Sequence, residues 1–229
     1  MKCVILQPSY IPWRGYFHQV ANADVFVFYD DVQYDKHGWR NRNRIKTPNG
    51  IQWLTIPVLT AGVLENKTPI CSVKIDWKRD WNRKHWASIS QSYQKAPFFD
   101  NYIDKLAEIF QHRYEFLADL TIELTIQLSN LLGISSTHFI RSSSLDNIKG
   151  EKTDRIIQIL KKVGADHYIS GPSASNYLDE DSFLAANIRL EYMHYNYPEY
   201  HQLYPPFESQ VSILDLLFMT GPEALKYIL

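Results

Sequence analysis

Unbroken apolar runs and helically spaced apolar positions alternate along this chain. Cys3 to Leu6 is a short apolar run stopped by Gln7-Pro8, and Val25 to Tyr29 is another, stopped by Asp30-Asp31. Runs of this length without polar alternation predict strands buried on both faces, as in parallel sheets. Between them Tyr16, Phe17, Val20 and Ala23 recur at the spacing of one helix face, which predicts a helix from about Trp13 to Asn22. Strand, helix and strand in so short a stretch make a βαβ unit.

The pattern then changes. Residues 32–50 are polar and close on the turn Thr47-Pro48-Asn49-Gly50, after which Ile51 to Val58 and Ile70 to Ile75 read as β-branched strands. From Trp77 the spacing is helical in three segments, to Tyr93, around Tyr102 to Phe110 and from Phe116 to Leu132, with a break at Pro97 and a stop at Gly133. Alternation resumes with a strand over Thr137–Ile140, a helix over Glu151–Val163 before Gly164, a strand over Asp166–Ser170, a short helix over Leu178–Ala186 and a strand over Ile188–Met193. The expectation is one α/β domain over residues 1–229. It is a parallel sheet carrying a β insertion at about 45–76 and a helical layer at about 77–133.

Composition narrows the function classes. A chain of 229 residues that is 45% hydrophobic has enough apolar surface for a substantial core, so disorder is not expected. With 24 Lys+Arg against 25 Asp+Glu the net charge is −1, which excludes a uniformly basic nucleic-acid binder and makes any charge effect local. Cys3 and Cys71 cannot build a disulfide framework, the first apolar run is too short for a signal peptide, and no segment approaches the roughly 20 apolar residues of a membrane span. A cytoplasmic protein without a membrane span is expected. The histidines show no metal-like pairing, so no metal site is expected. The aromatic share is high at 14%, with tyrosine the largest contributor.

In an open parallel sheet, ligands bind beyond the carboxyl ends of the strands. Applied to this chain, that rule gathers Gln7, Ser9 and Tyr10 from the first strand, Asp30, Asp31, Gln33 and Tyr34 from the second, Ser170, Gly171, Ser173 and Ser175 after the 166–170 strand, and His194 after the next. The first loop is stiffened by Pro8 and Pro12, and Gly15 opens the following helix, a start suited to a phosphate or carboxylate. Its Trp13, Arg14 and Tyr16 either meet a ligand or pack under the sheet. Between Lys36 and Lys46 there are five Lys or Arg. In extended chain Arg40, Arg42, Arg44 and Lys46 share one face and Asn41, Asn43 and Ile45 the other, so four cations face either an anion or water. Lys84 and His85 lie in a second basic-aromatic stretch; they reach the same anion, or Trp77, Trp81 and His85 form a packing stripe. The Ser170–Tyr177 loop, with Gly171 and Ser173, can wrap an anion with backbone N–H groups.

The string Leu6-Gln7-Pro8-Ser9-Tyr10-Ile11-Pro12-Trp13-Arg14-Gly15-Tyr16-Phe17, with Asp30-Asp31-Val32-Gln33-Tyr34 and Trp39-Arg40-Asn41-Arg42-Asn43, resembles the WbqC-like protein family. The resemblance continues through Tyr168-Ile169-Ser170-Gly171-Pro172-Ser173 and Tyr177-Leu178 to Tyr200-His201-Gln202-Leu203 and Ser212–Phe218. It implies a bacterial protein associated with lipopolysaccharide O-antigen or other surface-polysaccharide biosynthesis. A weaker likeness is to the Rossmann-like HUP and nucleotidylyltransferase-like α/β folds, in which Trp13-Arg14-Gly15-Tyr16 occupies the place of a His-x-Gly-His without its histidines.

Together these readings favour a transferase that moves an acyl, aminoacyl or nucleotidyl-type group on a nucleotide-activated sugar. Arg40, Arg42 and Arg44 would hold phosphates, Tyr10, Trp13, Tyr34 and Trp39 would stack on base or sugar, Tyr177 would contact substrate from its loop, and Asp30, Asp31 or His194 would act as general base. The expected partners are a phosphate-bearing small molecule and a carrier protein or pathway enzyme, with no nucleic acid; the sequence names no cofactor. The alternative is a non-catalytic nucleotide-sugar binding or assembly protein of the same pathway.

Overall fold

The computed structural model describes residues 1–59, 62–63 and 66–229. The strands β1 (Lys2–Leu6), β2 (Val25–Phe28), β5 (His138–Arg141), β6 (His167–Ser170) and β7 (Arg189–Tyr192) form a five-stranded sheet in the order β5-β2-β1-β6-β7, and every pairing in it is parallel. Counting only these strands, the order is 3-2-1-4-5, a doubly wound α/β arrangement.

The apolar runs are strands because both faces of the sheet are covered. Val4, Phe26 and Phe28 enter one core with α1 (Arg14–Ala21), α2 (Trp81–Tyr93), α3 (Phe99–Gln111), α4 (Leu117–Leu131) and α7 (Ile213–Thr220). Cys3, Ile5, Val25 and Val27 enter the other, against α5 (Lys152–Val163) and α6 (Glu180–Ala185). Side chains alternate across a strand, so an uninterrupted apolar run feeds two cores at once. Cys3 lies in the second core, where burial pushes its thiol up to about 12.

Two expectations about the β insertion change, and part of its span lies outside the described residues. The partner of β4 (Gly50–Thr55) is β3 (Arg42–Thr47), the basic segment itself, in an antiparallel hairpin with Arg44 opposite Trp53. Gly50 closes the turn at φ 102°, and the Thr47 hydroxyl donates to its carbonyl. Ile70 to Ile75 is no strand. Residues Ile70–Ser72 form a 3-10 turn whose backbone N–H groups go elsewhere, Ile70 to Val32 and Cys71 to Asp30. Those bonds tie the turn to the end of β2 and leave only single bridges, Val58 to Ile75 and Lys74 to Phe116. Beyond β7 the chain runs without regular structure to α7, whose residues from Ile213 to Met219 are all buried.

Candidate functional site

The chain leaves β1 toward β2 and later returns to pair β6 on the other side of β1, so the loops beyond these two strands diverge and open a crevice. A cavity of about 820 Å³ occupies that place, bounded by Gln7 beyond β1, Tyr168 on β6, Tyr29 beyond β2, Lys152 and Ile156 on α5, and Tyr177. A second cavity of about 320 Å³ is lined by Pro12, Trp13, Trp39, Asn43, Arg44 and Gln210. Ser9, Tyr16 and Arg40 line both, which makes Arg40 the waist of a two-lobed cleft.

Hydrogen bonds to the first loop hold the two lobes together. The Tyr10 N–H donates to the Trp39 carbonyl at 3.2 Å, and the Asn43 amide donates to the carbonyls of Tyr10 and Ile11 at 3.0 and 2.9 Å. Ile11 has φ 36°, a left-handed conformation that a β-branched residue holds only when its surroundings impose it. The start of α7 closes the arrangement, with Ile213 N–H donating to Pro12 and Ser212 N–H to Arg44. A Cβ on Gly15 would lie 2.2 Å from the Trp13 ring, so this glycine leaves room for the indole to wall the smaller lobe. Trp13 meets Tyr195 and Tyr197 edge-on.

The cleft is positive. The Nε of Arg40 is buried without a hydrogen-bond partner; burial lowers the guanidinium's pKa, opposed by Tyr16, Asp35 and Tyr34. An arginine pKa starts so high that the group stays charged. Neither α1 nor α5 has a side chain capping its start, and Trp13 and Tyr16 at one start and Lys152 at the other line the cleft. Uncapped N–H groups and the positive end of the helix dipole both favour an anion. Burial pushes Tyr16, Tyr29, Tyr168 and Tyr177 up, which keeps them neutral hydroxyls. Among the described residues lining the two lobes there is no Asp, Glu or His.

Several residues singled out in the sequence lie elsewhere. Asp30 is fully buried and accepts from Ser143 N–H, the hydroxyls of Ser142 and Ser143, and Arg141 Nε at 2.7 Å. Asp31 accepts from Ser142 at 2.6 Å and from Arg155 at 2.5 Å. The Asp30 lone pairs are taken up by four donors, Asp31 is held by two, and neither residue lines the cleft, whereas a base needs a free lone pair aimed at substrate. His194 is exposed, as are Gln33, Ser173 and Lys84, and none of them lines the cleft. Arg14 is buried, donating to the Pro198 carbonyl at 2.8 Å with its guanidinium 4.6 Å from the Tyr197 ring centroid. Tyr10 is fully buried and bonded to His85 Nδ1 at 2.9 Å, and His85 packs on Trp81, which packs on Trp77. The second basic-aromatic stretch is therefore the packing stripe.

Nor do the four alternate cations share one partner. Arg40 enters the cleft. Arg42 and Arg44 lie 5.0 and 5.5 Å from the Trp53 ring centroid, and Trp53 stacks on Trp39 at 5.3 Å. Lys46 is buried and donates to Gln202 at 2.6 Å, in a network where Asp215 accepts from Tyr93, Tyr200 and Gln202. Tyr34, Asn41 and Arg42 line a separate cavity. Ser170 is buried against Tyr168, and Gly171 runs beneath Tyr195. The sequence reading passes over Lys152 and Gln210, and it proposes no role for Tyr29 beyond its place beside that edge. The carboxyl-edge rule reaches Lys152 and Tyr29, because helix starts and strand ends converge on that edge; no sequence signal points to Gln210, which follows the irregular stretch after β7.

A family model described as the WbqC-like protein family matches residues 7–227, which include both lobes of the cleft apart from the strand residues Ile5 and Leu6. The chain belongs to the WbqC-like protein family. It is 42% identical to the uncharacterized protein Rv1507c of Mycobacterium tuberculosis over 229 residues, covering 99% of this chain and 97% of that one. No solved structure matches it at a significant level. Among the described residues of this WbqC-like protein no helix is long and apolar enough to cross a membrane.

Proposed function

We propose that this WbqC-like protein binds a nucleotide-activated sugar across the two lobes of the cleft and transfers an acyl, aminoacyl or nucleotidyl-type group in bacterial surface-polysaccharide or O-antigen biosynthesis. The observation that carries the reading is Arg40, a cation with a buried, unpartnered Nε at the point where two cavities of unequal size meet. A diphosphate linking two bulkier groups has that shape and charge. It would sit against Arg40 and the uncapped helix starts, with Tyr29 and Tyr177 beside one group and Trp13 and Trp39 beside the other.

The test is a thermal-shift and calorimetric screen with uridine, guanosine, thymidine and cytidine nucleotide sugars. At least one should raise the melting temperature, and Arg40→Ala should cut the shift, with affinity at least about tenfold weaker by calorimetry. No shift with any of them, or a shift and affinity that Arg40→Ala leaves undiminished, would overturn the reading. A second reading, a non-catalytic nucleotide-sugar binding or assembly protein, is favoured by the lining of the cleft, where the described residues include no carboxylate or imidazole to serve as a base. Binding without turnover when acyl-coenzyme A or aminoacyl donors are supplied would select it.

A further inference from the structure

We infer that a second ligand site, separate from the Arg40 cleft, lies beside the 34–42 segment and takes a hydroxylated anion of the sugar-phosphate class. The cavity there is about 780 Å³ and is lined by Tyr34, Asn41, Lys36, Arg42, Arg79 and Asp76 among others. Two of its lining residues each carry a buried polar atom without a protein partner. Tyr34 is 2% exposed and its hydroxyl has no hydrogen-bond partner; Asn41 is 7% exposed and its Oδ1 has none.

The Asn41 amide is locked in that orientation. Its Nδ2 donates to the Ile56 carbonyl at 2.8 Å, and the Ile56 N–H donates back to the Asn41 carbonyl at 2.7 Å. Flipping the amide would set two oxygens against each other, so Oδ1 stays turned away from Ile56 as a free acceptor. Buried polar atoms are nearly always paired, by protein, water or ligand. Two residues carrying such atoms in the lining of one large cavity mark it as built for a polar occupant.

The surrounding charges give the occupant's sign. Lys36, Arg42 and Arg79 face the cavity against one carboxylate, Asp76, which already accepts from the Lys78 N–H at 3.0 Å. Inorganic phosphate would satisfy the cations but has little to donate to the Asn41 acceptor. A neutral sugar would satisfy Asn41 and Tyr34 and leave the cations idle. A sugar phosphate does both. If the first cleft holds the nucleotide-activated partner, this position suits a second substrate; that role, though not the site, rests on the nucleotide-sugar reading.

The test is calorimetric titration of the full chain with glucose 1-phosphate, inorganic phosphate and glucose, repeated on Tyr34→Phe, Arg79→Ala and Arg40→Ala. Tyr34→Phe removes only a hydroxyl that makes no bond, and Arg79 is exposed, so both variants should melt as the parent does. Glucose 1-phosphate should bind, losing roughly tenfold in affinity in Tyr34→Phe and in Arg79→Ala and keeping it within about twofold in Arg40→Ala. Phosphate and glucose alone should each bind at least about tenfold more weakly. No saturable binding of glucose 1-phosphate, or binding lost in Arg40→Ala and indifferent to Tyr34→Phe, would overturn the inference. Nucleotide-sugar binding should show the opposite dependence, so either site can fail while the other stands.

Discussion

Two polar clusters sit on the same edge of the same sheet, and they differ in whether their charges are paired. Beyond β2 and β5, Asp30, Asp31, Arg141, Arg155 and Asp119 form a closed set with Ser142 and Ser143, each carboxylate meeting a guanidinium at 2.5 to 2.7 Å. Beyond β1 and β6, Arg40 and Lys152 line a cavity, and no described carboxylate lines it with them. Edge position was the sequence argument for Asp30 and Asp31, and the density of cations was the argument for Arg40. Satisfaction separates them: a buried charge whose partners are all present holds loops in place, whereas one left without a partner beside a cavity offers itself to a ligand.

The widest break in that comparison comes from Asp30→Ala. Arg141 keeps Asp119 when Asp30 is removed, but the four hydrogen bonds that this fully buried carboxylate accepts are lost. At about 1 kcal/mol each, these lost bonds should appear in urea unfolding as a loss of about 3–5 kcal/mol, while the folded fraction keeps its nucleotide-sugar affinity. Loss of binding with little loss of stability would place Asp30 with the open cluster.

The buried Tyr10–His85 pair, on the closed side of the same division, gives the next effect. Burial lowers the His85 pKa to about 4, so the folded chain keeps this imidazole neutral. The unfolded chain takes up that proton below about pH 6.5. Stability from this group is therefore complete above about pH 6.5, falls as the pH drops toward 4, and levels off below it, for a total of about 3 kcal/mol. Unfolding midpoints across this range should show the slope, and His85→Gln should flatten it.

Arg40→Ala should behave in the opposite way to Asp30→Ala. Charge-assisted bonds to a phosphate contribute about 1.5–3 kcal/mol, so calorimetry should show roughly 10- to 100-fold weaker nucleotide-sugar binding with a nearly unchanged melting temperature. A large drop in melting temperature would mean that Arg40 is structural after all. The smallest effect belongs to Lys84→Ala: an exposed charge on α2 away from both clusters should change stability by less than about 0.5 kcal/mol and leave binding unaltered.

The fold was legible where local pattern and tertiary environment agree. Cys3–Leu6 and Val25–Tyr29 read as buried strands because a strand covered on both faces admits few polar residues, and the Glu151–Val163 helix read true to its Gly164 stop, where φ is 76°. Ile70–Ile75 misled because β-branched residues favour extended backbone whether or not a partner strand lies beside them, and here Val32 and Asp30 take the N–H groups. Alternation grouped Arg40, Arg42, Arg44 and Lys46, yet it could not say that Arg40 and Arg44 line the smaller lobe while Arg42 lines another cavity and Lys46 is buried in the Asp215 network.

What the sequence determined by itself is therefore the α/β architecture, which follows from periodicity, and the family, which follows from the resemblance of its motifs. Only the tertiary structure decided which charges reach the cleft. Arg14 and Arg40 are the same side chain in neighbouring motifs; one is enclosed by the Tyr197 and Tyr200 rings and a carbonyl, and the other lines both lobes of a cleft. Their partners come from residues far away in the chain, and pairing across that distance leaves no mark on local pattern.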